Sequence, residues 1–322
     1  MLQSASEGSP EPIGFLLVPK FSMIAFTTAV EPLRSANRMS GRRLYSWHLF
    51  SKDGGPVTAS NGIAVTPEGA IASVDSFPTM IVCGGIDVHL YHDKAVFSWL
   101  RRLARQGARI GAICTGSHVL ARAGLLDGYR CTIHWENLPG FMEEFPDIEV
   151  TDDLFEIDGN RFTCSGGTAP LDMMLHMLAL AHGHELAGAV SEQFIHDRIR
   201  SPDDHQRMAL QWRLRVSDPK LLAAIAEMEA NLEEPLKLPE IAARARLSTR
   251  QLERLFRRRL NRAPSRYYRE LRLNHARLIL LQGSGSILGV ALACGFVSAS
   301  HFSKCYRQHF GKTPREERLA VT

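Results

Sequence analysis

The sequence predicts two domains: an α/β domain on a mostly parallel sheet, then an all-α domain in which one helix-turn-helix unit is written twice. Three observations carry this. Through roughly the first two hundred residues, short apolar runs alternate with helical patterns. In the last hundred, one plan of small, capping and apolar residues recurs about fifty residues on. Charge divides along the same line. From Lys237 to the end there are 18 Lys and Arg against 5 Asp and Glu, a net +13; before it there are 20 and 29, a net −9. A basic module beside an acidic one confines contact with nucleic acid to the C-terminal part.

Residues 1–10 are expected to be disordered. They hold no basic stretch followed by an apolar run, so no signal peptide is read there. No apolar stretch is long enough to span a membrane. The α/β domain is expected over 11–200. Ile13–Val18 predicts a buried strand, and a helix over about Met23–Met39 follows. Further strands are expected at Tyr45–Phe50, Thr79–Cys83 and Arg109–Ile113, with helices at about Lys94–Gln106, Gly116–Ala123 and Ala169–Ala181. Such alternation puts helices on both faces of a parallel sheet and sites at the carboxyl ends of its strands.

Three strand ends carry groups suited to chemistry. In Val82-Cys-Gly-Gly85, the pair Gly84 and Gly85 lets backbone N–H groups face a ligand. Gly111-Ala-Ile-Cys-Thr-Gly116 runs a strand into a helix through small residues and sets Cys114 at the turn, where a helix N-terminus favours a thiolate. Thr132-Ile-His-Trp135 sets His134 at the end of another strand, beside Trp135. Glu31, in the first helix, is a candidate carboxylate partner. Each has a plainer reading: Cys114 as a small buried residue, His134 as a core histidine bonded to backbone, Trp135 as a cap on the core. Cys83, Cys131 and Cys164 read as packing. Six cysteines without CxxC spacing fit reduced thiols of a cytosolic protein better than disulfides or zinc. His176, His182 and His184 lack a carboxylate-backed ligand pattern, so no metal is expected. No cofactor is expected either.

These pieces resemble the class I glutamine-amidotransferase-like superfamily, in its ThiJ/PfpI branch, over about Ile13 to Arg198. Cys114 matches the elbow Cys, His134 the His after the next strand, and Glu31 the acid after the first strand. Thr163-Cys-Ser-Gly-Gly-Thr-Ala-Pro-Leu-Asp172 matches a late glycine-rich turn. The resemblance implies a flavodoxin-like parallel-sheet sandwich with a pocket at Cys114. There is one departure. Peptidases of this branch place a His directly after the elbow Cys, where this chain has Thr115. That argues against peptidase catalysis, and no catalytic residue is assigned.

A linker is expected over 201–218, where Ser201-Pro-Asp-Asp204 reads as a turn and Ser217-Asp-Pro219 as a capped helix start. The all-α domain follows over 219–322. Its first copy runs Ile241-Ala242, Ala245-Arg246-Leu247-Ser248, then Leu252, Phe256, Leu260 and Pro264. The second runs Val290-Ala291, Cys294-Gly295-Phe296, then Ser298, Phe302, Tyr306, Phe310 and Pro314. The offset is 49 up to Leu247/Phe296 and 50 from Ser248/Ser298, so the second turn holds an extra residue, Val297. Each copy reads as a short helix, a tight turn, a Ser N-cap and a longer helix. On the first long helix Leu252, Leu255, Phe256 and Leu260 share one face, and Arg250, Glu253, Arg254 and Arg257 the other. The helix joining the copies, roughly Ser265 to Leu281, adds Arg266, Arg269, Arg272 and Arg277.

This plan resembles the AraC family of transcription regulators, over about Pro219 to Arg318. Ala293 to Pro314 lies close to that family's C-terminal signature. The resemblance implies promoter DNA as partner, with the first half of each recognition helix in the major groove. Carried onto this chain, that assigns Arg250, Glu253 and Arg254, with Arg257 on the same face, and Ser300, Ser303 and Lys304. After Pro314 the family often has an aromatic residue and an Arg, whereas this chain reads Arg315-Glu-Glu-Arg318.

The two resemblances together match a subfamily of regulators that control catabolism of small nitrogenous metabolites. The motifs Ala112-Ile-Cys-Thr-Gly-Ser-His118 and Cys131-Thr-Ile-His-Trp-Glu136 look most like its carnitine-responsive members. This implies a cytoplasmic activator with a small cationic effector, carnitine first and glycine betaine second, or arginine as another known type. A quaternary ammonium needs aromatic faces and carboxylates; Trp135, Phe21 and Tyr91 are candidate walls, with Glu31 and Glu136 as anions. The subfamily implies a homodimer and RNA polymerase as a partner. The competing class is a thiol amidase or peptidase with a DNA-binding tail.

Overall fold

The computed structural model describes residues 9–283 and 285–319, so positions 1–8 of the expected disordered segment lie outside the described residues. The chain divides into two units. Residues up to 138 together with 145–206 form one, and residues 139–144 together with 207 onward form the other. The stretch expected as a linker, 201–218, is shared between them.

The first unit opens with β1 (Glu11–Leu17), α1 (Met23–Ser40) and β2 (Tyr45–Ser51). Short strands β3 (Val57–Thr58), β4 (Ala64–Val65) and β5 (Gly69–Ala70) follow, then β6 (Thr79–Cys83), α2 (Lys94–Arg105), β7 (Arg109–Ile113) and α3 (Gly116–Arg122). Beyond them lie β8 (Cys131–Thr132), β9 (Val150–Thr151), β10 (Phe155–Asp158), β11 (Arg161–Cys164), α5 (Ala169–His182) and α6 (His184–Gln193), while α4 (Leu138–Glu144), between β8 and β9, belongs from Pro139 on to the second unit. The main sheet has the order β10-β11-β7-β6-β1-β2-β5, and every neighbouring pair is parallel except β10 with β11. Central strands of such a sheet are covered on both faces, and β1 and β6 are accordingly apolar and buried along most of their length. On one face α1 buries Ala25, Phe26, Ala29 and Leu33 together with Met173, Met174, Met177 and Leu178 of α5.

The register aligns the carboxyl ends of four strands. Leu17 pairs with Cys83, Cys83 with Ile113, and Ile113 with Cys164. The turns after β1, β6, β7 and β11 therefore converge on one edge of the sheet. The strand expected to end at His134 is corrected. β8 covers only Cys131 and Thr132 and pairs with β9 in a separate two-stranded sheet. Thr132 ties this piece down: its N–H donates to Thr163 Oγ1 at 2.8 Å, and its hydroxyl to Asp153 O at 2.8 Å.

The second unit contains α7 (Leu210–Leu214), α8 (Pro219–Ala230), α9 (Leu238–Arg244), α10 (Thr249–Leu260), α11 (Pro264–Gln282), α12 (Ile287–Ala293), α13 (Ala299–Phe310) and α14 (Pro314–Leu319). Each helix-turn-helix copy has its own core. Leu252 and Phe256 pack with Leu221 and Ile225, and Phe302 and Tyr306 with Leu273 and Ile279. The joining helix α11 supplies both, through Tyr267 and Tyr268 on one side and Leu273, Ala276, Ile279 and Leu280 on the other.

The joining helix also corrects, for Arg272 and Arg277, the expectation that its arginines extend the basic surface. Arg272 lies flat on the Phe296 ring, 4.2 Å from its centroid, and donates to Cys294 O at 2.7 Å and Gly295 O at 2.6 Å. It thus caps the carbonyls at the end of α12, a helix terminus that needs donors. Arg277 lies over Phe310 and pairs with Glu317 at 3.3 Å. Arg266 pairs with Glu270 at 2.9 Å. The departure noted after Pro314 has a role here. Glu317 is 1% exposed and accepts from Tyr306 Oη at 3.0 Å, with Lys312 at 2.9 Å.

The two copies turn the chain differently. Arg246 takes the left-handed conformation at φ 55°, and its counterpart Gly295 at φ 70°. A Cβ on Gly295 would overlap the Pro235 ring and come within 2.8 Å of Glu233 O. Gly295→Ala is therefore expected to destabilise the second unit by about 2–4 kcal/mol, from left-handed strain plus overpacking. Arg246→Gly, which relieves strain but frees the unfolded chain, should stay within about 1 kcal/mol of the parent. Calorimetric unfolding of both variants checks the contrast; equal effects would show that the two turns are not under different constraints.

Candidate functional site

At the converging strand ends, Cys114 is the turning point. It has φ 60°, left-handed for a residue with a Cβ, where β7 passes into α3. Close packing surrounds it. A Cβ on Gly166 would lie 2.8 Å from Cys114 Cβ, so the glycine turn after β11 rests on the cysteine. Gly84 and Gly85 allow two further close approaches: a Cβ on Gly84 would strike the Thr115–Gly116 backbone, and one on Gly85 the Lys20–Phe21 backbone. Their polar groups are largely used within the fold. Gly84 N–H donates to Ile113 O at 3.3 Å, Gly84 O accepts from Ser22 N–H at 2.9 Å, and Gly85 O accepts from Thr115 Oγ1 at 2.7 Å. The expectation that Gly84 offers its N–H to a ligand is thereby corrected.

The Cys114 thiol is 8% exposed, and burial pushes its pKa up to about 12. The nearby Thr115 amide and Ser22 hydroxyl favour its ionised form, while the charge of Glu136 opposes it. Burial wins, so the expected thiolate is not present at neutral pH. The helix that was to stabilise it, α3, is only 7 residues long. His134 N–H donates to Cys114 O at 3.3 Å, which brings that residue to the turn. Its ring is mostly buried and held below the ordinary histidine pKa of 6.5, with Glu136 Oε2 3.8 Å from Nδ1 opposing that shift. Trp135 is half-buried, its ring 5.7 Å from that of His134 and tilted by 34°.

Glu31 is not brought to this cluster. Its Oε2 accepts from Arg34 Nε at 2.8 Å and Nη2 at 2.6 Å, half-exposed on α1. Nine residues along a helix carry it about 13 Å from Ser22, the residue whose hydroxyl influences the Cys114 thiol. Sequence reasoning passed over Ser22, though its signature was there: it is the N-cap of α1, accepting from Ala25 N–H at 3.4 Å. Phe21 is fully buried and packs edge-on against Phe26, a core ring rather than a pocket wall. Tyr91 stands edge-on to Phe97. Among the described residues no group of three or more His, Cys, Asp or Glu could hold a metal, and no helix is long and apolar enough to cross a membrane.

In the second unit, α10 starts from a capping box. Ser248 Oγ accepts from Gln251 N–H at 3.2 Å, and Gln251 Oε1 from Ser248 N–H at 2.8 Å. With Leu252 and Phe256 buried, Arg250, Glu253, Arg254 and Arg257 are exposed, and they line a surface groove of about 710 Å³ with Ser248, Gln251 and Arg258. On α13 the corresponding positions hold Ser300 and Lys304, both exposed, and Ser303, half-buried. Arg258 was missed because its place on the helix lies between the two faces considered.

Residues 13–180 match the DJ-1/PfpI family, and residues 241–320 a helix-turn-helix domain. The chain is 53% identical over 310 residues to the HTH-type transcriptional regulator GbdR of Pseudomonas aeruginosa, covering 96% of this chain and 84% of that one. It is 49% identical to the HTH-type transcriptional regulator CdhR of Pseudomonas aeruginosa, covering 95% and 91%. Among solved structures, an AraC family transcriptional regulator from Pseudomonas putida superposes with a TM-score of 0.53 at 28% identity, covering 57% of this chain and all of that one.

Two outcomes follow from the buried groups. With a pKa of about 12, Cys114 should react with iodoacetamide at neutral pH roughly a thousandfold more slowly than free cysteine. Rapid single-site alkylation, mapped by mass spectrometry, would show an activated thiol instead. His134, His176 and His182 are all held below 6.5 by burial. The unfolded chain takes up protons below pH 6.5 that the folded unit does not, so stability is complete above that value and lost as pH falls through it. The drop in melting temperature between about pH 7 and about pH 5.5 should shrink in His134→Gln; an unchanged drop would assign the effect to other groups.

Proposed function

Because the chain belongs to the AraC-type transcription regulators that carry a DJ-1/PfpI domain, we propose that its first unit holds a small cationic metabolite at the Cys114 turn and its second unit reads promoter DNA with α10 and α13. The observation that carries this is the state of Cys114. A left-handed turn has shaped a nucleophile elbow, yet the thiol is buried and un-ionised, and Thr115 stands where a neighbouring base would be, its hydroxyl bonded to Gly85 O. Such a site suits binding better than covalent chemistry. The reading as a thiol amidase or peptidase needs an activated sulfur, which this geometry disfavours.

The effector class follows from the groups near the turn. Trp135 and His134 present ring faces, and Glu136 a carboxylate, suited to a quaternary ammonium that cannot donate a hydrogen bond. We take carnitine or glycine betaine as the effector and arginine as the competing class. Base reading is assigned to Arg250, Glu253, Arg254 and Arg257 on α10 and to Ser300, Ser303 and Lys304 on α13. A homodimer fits paired half-sites, and activation through RNA polymerase in the cytoplasm completes the reading.

Titration calorimetry of the full chain with carnitine, glycine betaine and arginine tests the effector. Binding of arginine with failure of both quaternary amines would overturn the aromatic–carboxylate argument. For DNA, Arg254→Ala should weaken binding to the specific site by about 10- to 100-fold if it makes a bidentate base contact. An equal loss on random duplex would make Arg254 a phosphate contact.

A further inference from the structure

The last residues of the first unit are tied to the Cys114 turn from two sides. After α6 the chain runs from His196 to Gln206, and the second unit, which also takes residues 139–144, resumes at Arg207. Asp172, in the first turn of α5, is fully buried and anchors the start of this stretch. It accepts from His196 Nε2 at 2.8 Å, and from Arg200 through its N–H at 2.7 Å, Nε at 2.9 Å and Nη2 at 2.6 Å. The same Arg200 Nη2 donates to Thr168 Oγ1 at 2.9 Å. Thr168 closes the turn whose Gly166 rests on Cys114.

The other end of the stretch reaches the opposite side. Gln206 Nε2 lies within hydrogen-bond reach of Thr132 Oγ1 at 2.9 Å, Ile133 O at 3.0 Å and Asp153 O at 3.0 Å. Ile133 immediately precedes His134, whose N–H bonds to Cys114 O. Between these ends, Leu154 N–H donates to Pro202 O at 2.9 Å, and Ser201 N–H to Asp204 Oδ2 at 2.8 Å.

We propose that residues 196–206 are the output strap of the effector site, a segment whose position is set jointly by the Gly166–Thr168 turn and the Thr132–His134 turn. The proposal rests on the effector reading above. A ligand seated against Cys114 and His134 bears on both turns, and either displacement reaches the strap, through Arg200, which bridges Asp172 and Thr168, or through Gln206, which bonds to Thr132 and Ile133. A buried carboxylate that loses its Arg200 partner is costly, so the strap moves as a body with Asp172 and does not simply let go. Covalently, it is the stretch of the first unit that leads into residues 207–319, which hold both helix-turn-helix copies. It therefore carries a change at the site to the point where the chain leaves.

Hydrogen exchange of the full chain, read by mass spectrometry, tests the coupling without any effector. Thr168→Val removes the acceptor for Arg200, and Gly166→Ala forces the turn off Cys114. Peptides spanning 196–206 should exchange several-fold faster in both, while those of β1 and β2 do not change. Faster exchange confined to 164–172 would overturn the proposal. A second arm uses carnitine and glycine betaine as probes with Gln206→Leu. That variant should bind the probe as the parent does, within about threefold, yet lose the roughly tenfold or larger effect of the probe on operator affinity. A full response in Gln206→Leu would also overturn the proposal. Failure of both probes to bind the parent would sink the effector reading alone, because the exchange arm decides the strap by itself.

Discussion

Cys114 must turn the chain from β7 into α3 with a left-handed backbone, and the surrounding edge of the sheet is arranged to let it. Such a conformation costs a residue with a Cβ about 1–2 kcal/mol, so it persists only where neighbours over-determine it. Here they do so by proximity. Gly166 lies against the cysteine itself, Gly84 against the Thr115–Gly116 backbone, and Thr115 locks onto Gly85 O. The register row Leu17–Cys83–Ile113–Cys164 makes that crowding possible, since it brings four turns to one edge at the same height. The same crowding excludes water from the sulfur. One constraint therefore explains both why the site has the outline of a nucleophile elbow and why its thiol stays protonated.

The second unit meets a similar demand twice and answers it in two ways. Its first turn accepts strain at Arg246; its second uses Gly295, because the Pro235 ring and Glu233 O leave no room for a side chain. The copies also differ in what they expose. α10 shows Arg250, Arg254 and Arg257, where α13 shows Ser300, Lys304 and Arg307 at the matching places. Exposed positive charge is thus concentrated in the first copy, and the second shows shorter polar groups suited to closer hydrogen bonding. Arg272 lets the two copies act from one frame: it belongs to the joining helix but caps the last carbonyls of α12.

Much of this was legible in the sequence, and the exceptions share a cause. β6 and β7 were read to the residue, and α1, α2, α3 and α5 to within a residue or so, because a buried strand or amphipathic helix writes its period into its own residues. The β10–β11 hairpin and the region around His134 were not read. β8 is two residues long and held by Thr163, Thr151 and Asp153, all distant in sequence. Glu31 was chosen over Ser22 because a carboxylate looks like chemistry and a serine N-cap looks like structure. Distance along the helix decides it the other way. Arg272 and Arg277 were read as basic surface because a formal charge says nothing about whether an aromatic ring and a carbonyl lie beneath it.

That last point changes what the charge asymmetry means. The net +13 from Lys237 onward already counts Glu270 and Glu317, so it is the placement of the charge, with several guanidiniums paired at close range, that decides the field at a distance. Glu270 faces Arg262 and Arg266, Glu317 faces Arg277 and Lys312, and Glu227 faces Arg244. The exposed face of α10, by contrast, gathers Arg250, Arg254, Arg257 and Arg258 within about two helical turns, with Glu253 as the single acid in the groove they line. Local density there, rather than total charge, supports the proposed contact of α10 with a phosphate backbone, in which Glu253 would offer an acceptor for a cytosine amino group. The first unit, at a net −6 over residues 1–138 and 145–206, repels the same backbone. This distribution supports the proposed assignment of α10 to the phosphate backbone.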